Sequence, residues 1–133
     1  MENKQHYRIL LAEDNIFNQK IAATMLKKLG FTTDVACNGL EALEKLSNTD
    51  QNYVLIFMDC QMPKMDGYET TTKIRTEEKH NGQHIPIVAM TANNSLEERD
   101  YCSKIGMDDY IAKPFNRDDL ITVLSRWNLA ESP

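Results

Sequence analysis

Six apolar residues in a row, Tyr53-Val54-Leu55-Ile56-Phe57-Met58, end on an aspartate, Asp59. The run is short, β-branched and aromatic, and apolar and polar positions do not alternate along it. A strand buried on both faces of a parallel sheet reads this way. A turn-rich stretch follows, Cys60-Gln61-Met62-Pro63-Lys64-Met65-Asp66-Gly67. Sheets of this type carry ligand sites beyond the C-terminal edge of their strands. A carboxylate there is costly unless it is paired, bound to a cation, or used. Taken alone, Asp59 also has a lesser reading as a turn or helix-cap aspartate, and the rest of the chain must decide.

Four more strand patterns surround this one. Arg8-Ile9-Leu10-Leu11-Ala12 runs into Glu13-Asp14-Asn15, and Thr32 to Ala36 is a weaker second strand. Ile85 to Met90 is the fourth, ending in Thr91-Ala92, and Tyr110-Ile111-Ala112 is a short fifth before Lys113-Pro114-Phe115. Helical patterns separate them. Asn15 or a neighbour caps the first, with Ile21, Met25 and Leu29 on one stripe and Gly30 as its stop. Asn38 with Glu41 forms a capping box before Leu40, Leu43 and Leu46, and Ser95 with Glu98 forms another for a helix ending at Ile105 and Gly106. Asp66 with Glu69 caps a helix through Ile74 that Asn81-Gly82 breaks. Asn116 caps the last, which bears Leu120, Val123, Leu124 and Trp127. Five strands alternating with five helices predict an α/β fold, a parallel sheet covered on both faces. If the sheet takes the common flavodoxin-like order 2-1-3-4-5, an order the residues themselves do not dictate, the fold is a doubly wound (βα)5 unit.

The chain has 133 residues, enough for one domain with a proper core and not for two. The expectation is therefore a single domain over 1–133 with its core at about 7–127. The polar start, Met1 to Tyr7, is expected to fray. The tail after Trp127 is too short for an output domain, and no repeat, low-complexity tract or linker interrupts the chain. A hydrophobic share of 41% with 26% charged residues fits a soluble globular protein. A net charge of −5 and the lack of any Lys/Arg run argue against nucleic-acid binding. No apolar run is long enough to span a bilayer, so no membrane contact is expected. No basic segment precedes an apolar one at the N-terminus, which points to the cytoplasm. Cys37, Cys60 and Cys102 are odd in number and widely spaced. Reduced thiols fit them better than a zinc site or a disulfide framework.

Polar residues recur where strands one, three, four and five end: Glu13 and Asp14, then Asp59, Thr91 and Lys113. In the order 2-1-3-4-5, strands one and three are neighbours at the switch point, so the three carboxylates converge between them with Thr91 and Lys113 at the flanks. Like charges at 4 Å repel by roughly 4 kcal/mol near a protein surface. Lys113 offsets part of this, and a divalent cation would offset the rest. Oxygen donors with room for water suit Mg²⁺. A carboxylate beside Mg²⁺ and a lysine can attack phosphorus and form an aspartyl phosphate. Each residue also has an ordinary reading: Glu13-Asp14 as acids at a helix start, Thr91 as a turn hydroxyl, Lys113 as a solvated lysine, Tyr110 as core or rim. Their joint placement at four strand ends is what the ordinary readings leave unexplained.

Ile9–Asn15, Met58–Gly67, Ile87–Ala92 and Gly106–Phe115 closely resemble the matching stretches of the receiver domain of two-component response regulators. The resemblance covers about Tyr7 to Trp127. It implies that Asp59 is the phosphoacceptor and that Asp14, Asp59 and the backbone carbonyl of Gln61 bind Mg²⁺, with Mn²⁺ as a substitute. Glu13 would act on the metal mostly through water; many receivers carry Asp there, and Glu keeps the charge with a longer reach. Lys113 would pair with the phosphoryl group, approaching across a cis Lys113-Pro114 bond. Asp59, Thr91 and Lys113 would form the catalytic set, and Thr91 with Tyr110 the switch pair. Gln61 and Asn93 occupy positions that tune attack by water on the phosphoaspartate, the autodephosphorylation step.

Leu11–Asn15 with Asn18, and Met58–Pro63, look most like receivers of hybrid sensor histidine kinases. The resemblance then implies a phosphorelay switch that accepts a phosphoryl group from a phosphohistidine and relays it or changes its interaction face. The partners would be a histidine kinase or a histidine phosphotransfer domain. Docking is expected around Asp59, with Phe17, Asn18, Ile21 and Phe115 nearby, although Phe17 equally reads as ordinary packing. The fourth helix, fifth strand and fifth helix would form the changing face and support a weak phosphorylation-dependent dimer. The parent protein would be a histidine kinase anchored in the inner membrane; a stand-alone single-domain regulator is the alternative. Enzyme status is left open, since the isolated domain would do no more than self-phosphorylate from small donors and dephosphorylate itself. An aspartyl-phosphate phosphatase typically places a second Asp two residues after the nucleophile, where this chain has Gln61. A flavodoxin-like cofactor binder would need a phosphate cradle where Glu13-Asp14 would repel phosphate. A degenerate receiver that only binds partners fits poorly with an intact site.

Overall fold

The computed structural model describes residues 7–48 and 52–130, so most of the N-terminal stretch expected to fray lies outside the described residues. Five strands and five helices alternate: β1 (Arg8–Ala12), α1 (Ile16–Lys28), β2 (Thr32–Ala36), α2 (Gly39–Leu46), β3 (Tyr53–Asp59), α3 (Gly67–Asn81), β4 (Ile87–Thr91), α4 (Leu96–Ile105), β5 (Asp109–Ala112) and α5 (Arg117–Arg126). All strand pairs are parallel, in the order β2-β1-β3-β4-β5. This is the predicted doubly wound order.

The pleat divides each central strand between two cores. Ile9, Leu11, Leu55, Phe57, Val88 and Met90 pack against Ala22 and Leu26 of α1 and Leu120, Val123 and Leu124 of α5. Leu10, Ile56, Met58, Ile87 and Ala89 face the other way, toward Ala42 of α2, Ile74 of α3 and Cys102 of α4. Both faces of β3 are therefore covered, which is why its sequence shows no alternation.

Local differences from the sequence expectation have physical causes. The buried stripe of α1 is Ala22 and Leu26, with Met25 and Leu29 beside it, while Ile21 is exposed. Gly30 at φ 97 ends the helix, with Phe31 N–H donating to the Leu26 carbonyl and Gly30 N–H to that of Lys27, the paired bonds of a Schellman end. Leu40 is likewise exposed, and α2 buries Gly39 and Ala42 instead. β4 begins two residues later than expected: Pro86 has no N–H to give and joins the ladder only as an acceptor from Ile56 N–H. The expected boxes at α2 and α4 are half formed. Asn38 and Ser95 accept from Glu41 N–H and Glu98 N–H, but the Glu41 carboxylate takes Cys37 N–H and Glu98 turns to Tyr68 and Cys102. The complete box is at α5, where Asn116 and Asp119 each accept the other's N–H. No described helix is long and apolar enough to cross a membrane.

Candidate functional site

Four strand ends build a crevice between β1 and β3. β1 delivers Glu13, whose N–H donates to the Ala36 carbonyl of β2 and whose own carbonyl accepts from the Gln19 side chain. β3 ends on Asp59, and Cys60 N–H continues the ladder to the Met90 carbonyl of β4. Lys113 leaves β5 with its N–H bonded to the Thr91 carbonyl, and the Lys113-Pro114 bond is cis. Gly67 closes the β3–α3 turn by donating its N–H to the Cys60 carbonyl. A Cβ there would collide with the Asp59 carbonyl, so glycine is required by contact rather than by conformation.

The side chains meet as the strand-end pattern predicts. Lys113 Nζ lies 2.9 Å from Glu13 Oε1 and 3.1 Å from Asp59 Oδ2. Glu13 and Asp59 are 2% and 5% exposed, whereas Asp14 faces solvent. Carboxylate oxygens of Glu13, Asp14 and Asp59 lie within 4.8 Å of one another. These residues, with Gln61 and Thr91, line a cleft of about 270 Å³. Gln61 N–H donates to Asp59 Oδ1 at 3.2 Å. Thr91 is buried; its hydroxyl donates to the Asn93 carbonyl and accepts Asn93 N–H, so Asn93 is tied to the site through the chain. Tyr110 does not line the cleft. Its ring lies under the Arg99 guanidinium of α4, 4.0 Å from the ring centre, a cation–π contact with no local sequence signal.

One cation is shared between two buried acids. Burial, together with the Glu13 charge, pushes the Asp59 carboxyl up to about 6, against the Gln61 N–H and Lys113. Burial also opposes the charge on Glu13, but hydrogen bonds from Lys113 and Asn15 N–H outweigh it and hold that carboxyl below the usual range. Burial acts against the Lys113 charge too, yet its bonds to Glu13 and Asp59 raise its pKa. Glu13 thus holds Lys113 the more firmly, and Asp59 is the less neutralised acid. The donors suit a hard divalent cation: three carboxylates with no imidazole or thiol among them, one lysine against them, and cleft volume left for water. Beside the cleft, an apolar groove of about 430 Å³ runs between α1 and the β5–α5 turn, lined by Asn18, Ile21 and Phe115 among others. Phe17, also on α1, is 71% exposed rather than packed.

Fold and site define a doubly wound (βα)5 domain with a lysine-bridged acidic crevice at its switch point. The response regulator receiver domain model matches residues 9–125. The chain belongs to that family. It is 49% identical over 119 residues to the hybrid signal transduction protein dokA of Dictyostelium discoideum, a match covering 90% of this chain and 7% of dokA. The chain thus spans a small fraction of that relative. Among solved structures it resembles the receiver domain of the sensor histidine kinase PA1611 of Pseudomonas aeruginosa, which was crystallised with magnesium coordinated in its active-site cleft. The identity is 42% and the TM-score 0.80, covering 91% of this chain and 96% of that one. It also resembles the Saccharomyces cerevisiae Ssk1 receiver domain in complex with the histidine phosphotransfer protein Ypd1, at 34% identity and TM-score 0.83, covering 91% and 88%.

Proposed function

We propose that this chain is a phosphorelay switch that takes a phosphoryl group from a phosphohistidine of a partner onto Asp59. The observation that carries it is the placement of Asp59: nearly buried, bridged by Lys113, and short of neutralising charge. An Asp59 oxygen attacks phosphorus, the P–N bond to the donor imidazole breaks, and its electron pair returns to that ring. Lys113 is placed to meet the phosphoryl oxygens. The Thr91 hydroxyl, now turned to Asn93, would exchange those bonds for one to the phosphoryl group. Tyr110 would follow inward, and Gln61 and Asn93 would govern access of hydrolytic water. Glu13, Asp14, Asp59 and the Gln61 carbonyl would hold Mg²⁺. Bound there, the cation offsets the carboxylates and the developing phosphoryl charge; Mn²⁺ has the same taste for oxygen ligands.

The donor is a histidine kinase or a histidine phosphotransfer domain docked over the crevice. Exposed Phe17 and Ile21 and the adjoining groove support this. We read the whole chain as one receiver unit of a longer, membrane-anchored hybrid sensor histidine kinase, working in the cytoplasm, where the free cysteines stay reduced. Exposed Leu96 and Tyr101 on α4 favour a weak dimer through the α4–β5–α5 face once Asp59 is modified. The test is incubation with a small phosphodonor and Mg²⁺, wild type beside Asp59→Asn. Labelling of the wild type alone is expected, and equal labelling of both would overturn the assignment.

A further inference from the structure

The fold brings together two thiols that lie far apart in sequence. Cys60 and Cys102 are 1% and 3% exposed, and both pack in the core under α2, α3 and α4. Their sulfurs and a Glu98 carboxylate oxygen all lie within 4.8 Å of one another. Glu98 Oε1 also accepts the Tyr68 hydroxyl. Among the described residues no lysine, arginine or histidine pairs with Glu98. A half-buried carboxylate is thus held by one phenol and one thiol, with a second thiol beside it.

We propose that Cys60, Cys102 and Glu98 form a second metal site, selective for a borderline-soft divalent cation such as Zn²⁺ and sharing no donor atom with the acidic crevice, whose wall Cys60 also lines. Ligands of a tetrahedral zinc, with Zn–S about 2.3 Å and Zn–O about 2.1 Å, stand about 3.6 Å apart for sulfur and oxygen and about 3.8 Å for two sulfurs. Cys102 Sγ already lies 3.6 Å from Glu98 Oε1. Binding releases two thiol protons to solvent and leaves a fourth position for water: Zn²⁺ with two thiolates and one carboxylate. The donors differ in kind from the all-oxygen crevice, so the two sites divide hard from softer cations. Burial, followed by the Glu98 charge, pushes the Cys102 thiol up to about 11, so it does not serve as a thiolate nucleophile. A divalent cation reverses that local field and deprotonates a coordinating thiol. Tyr68 would orient Glu98 on the metal. A filled site would tie the residue after Asp59 to α4.

The experiment adds Co²⁺ to the reduced protein and follows the thiolate-to-cobalt charge-transfer band, which carboxylates cannot produce. The proposal predicts one such cobalt per chain, displaced by Zn²⁺. The band should persist in Cys37→Ser and vanish in Cys60→Ser and in Cys102→Ser. Tyr68→Phe should keep it with affinity about tenfold weaker. Zn²⁺ should also slow alkylation of Cys60 and Cys102 in the wild type while exposed Cys37 reacts unchanged, a readout that needs no folded variant. Absence of the band, its survival in either serine variant, or alkylation indifferent to Zn²⁺ would mean that the cluster holds no metal and that Cys102 only hydrogen-bonds to Glu98. No outcome depends on the role of Asp59.

Discussion

Lys113 is shared by two acids, and the consequences can be read residue by residue. Asp59 titrates near 6 in the folded chain and near 4 when unfolded. Between those values the folded state holds the proton and the unfolded state does not, so this group's contribution to stability falls as pH rises from about 4 to about 6. In EDTA at neutral pH, Asp59→Asn should therefore melt higher than wild type, with the gain gone below about pH 4. Calorimetry across that range checks it, and a lower melting point at neutral pH would show that the anion is already well satisfied. Lys113→Ala removes the cation from both acids and should cost about 3 kcal/mol in EDTA, partly restored by Mg²⁺; urea unfolding measures both. At this scale the sequence was informative about identity and silent about contact. Glu13, Asp14, Asp59, Thr91 and Lys113 were legible because each ends a strand. Arg99 over Tyr110 was not, because a contact between a helix and a distant strand leaves no local pattern.

Elements carry a different kind of information. Asn116 and Asp119 complete a reciprocal cap, and Asn116→Ala should lose about 1 to 2 kcal/mol in chemical denaturation. Asn38→Ala also loses a cap, but its helix keeps Glu41 on Cys37 N–H. A strut joins α3 to the β4 and β5 edges: Arg75 donates to Glu78, Asp108 and the Ile85 and Gly106 carbonyls, and Asp108 accepts Ile87 N–H. Arg75→Ala removes the guanidinium from two carboxylates that each keep a backbone N–H and should cost about 2 kcal/mol. Cap residues betray helix starts because one side chain and one N–H three positions on suffice. The strut was invisible, since its partners come from three separate segments. The α1 stripe was misjudged for a related reason: large residues suggest a buried face, yet the small Ala22 packs on the sheet while Phe17 and Ile21 stay at the surface.

For the molecule as a whole, the β-α alternation implied a parallel sheet with helices on both faces, while the order β2-β1-β3-β4-β5 was assumed from the common doubly wound form rather than read from the residues. That topology alone brings segments from both ends of the chain to one crevice. If the crevice holds Mg²⁺, the folded chain gains about 2.7 kcal/mol at a hundredfold excess over Kd, roughly 8 °C in Tm. Asp59→Asn should lose most of that gain, as thermal melts with and without Mg²⁺ would show. If the proposed switch is driven from about 1:99 to 99:1, the phosphoryl contacts would have to supply roughly 5.5 kcal/mol, more than one hydrogen bond gives, so the proposal needs Thr91 and Lys113 acting together. The most direct measurement locates the phosphoryl group. After treatment with a small phosphodonor and Mg²⁺, borohydride reduction converts an aspartyl phosphate to homoserine, and peptide mass spectrometry finds the changed residue. Homoserine at position 59, dependent on the divalent cation, is the predicted result; reduction at any other acid, or none at all, would contradict the account.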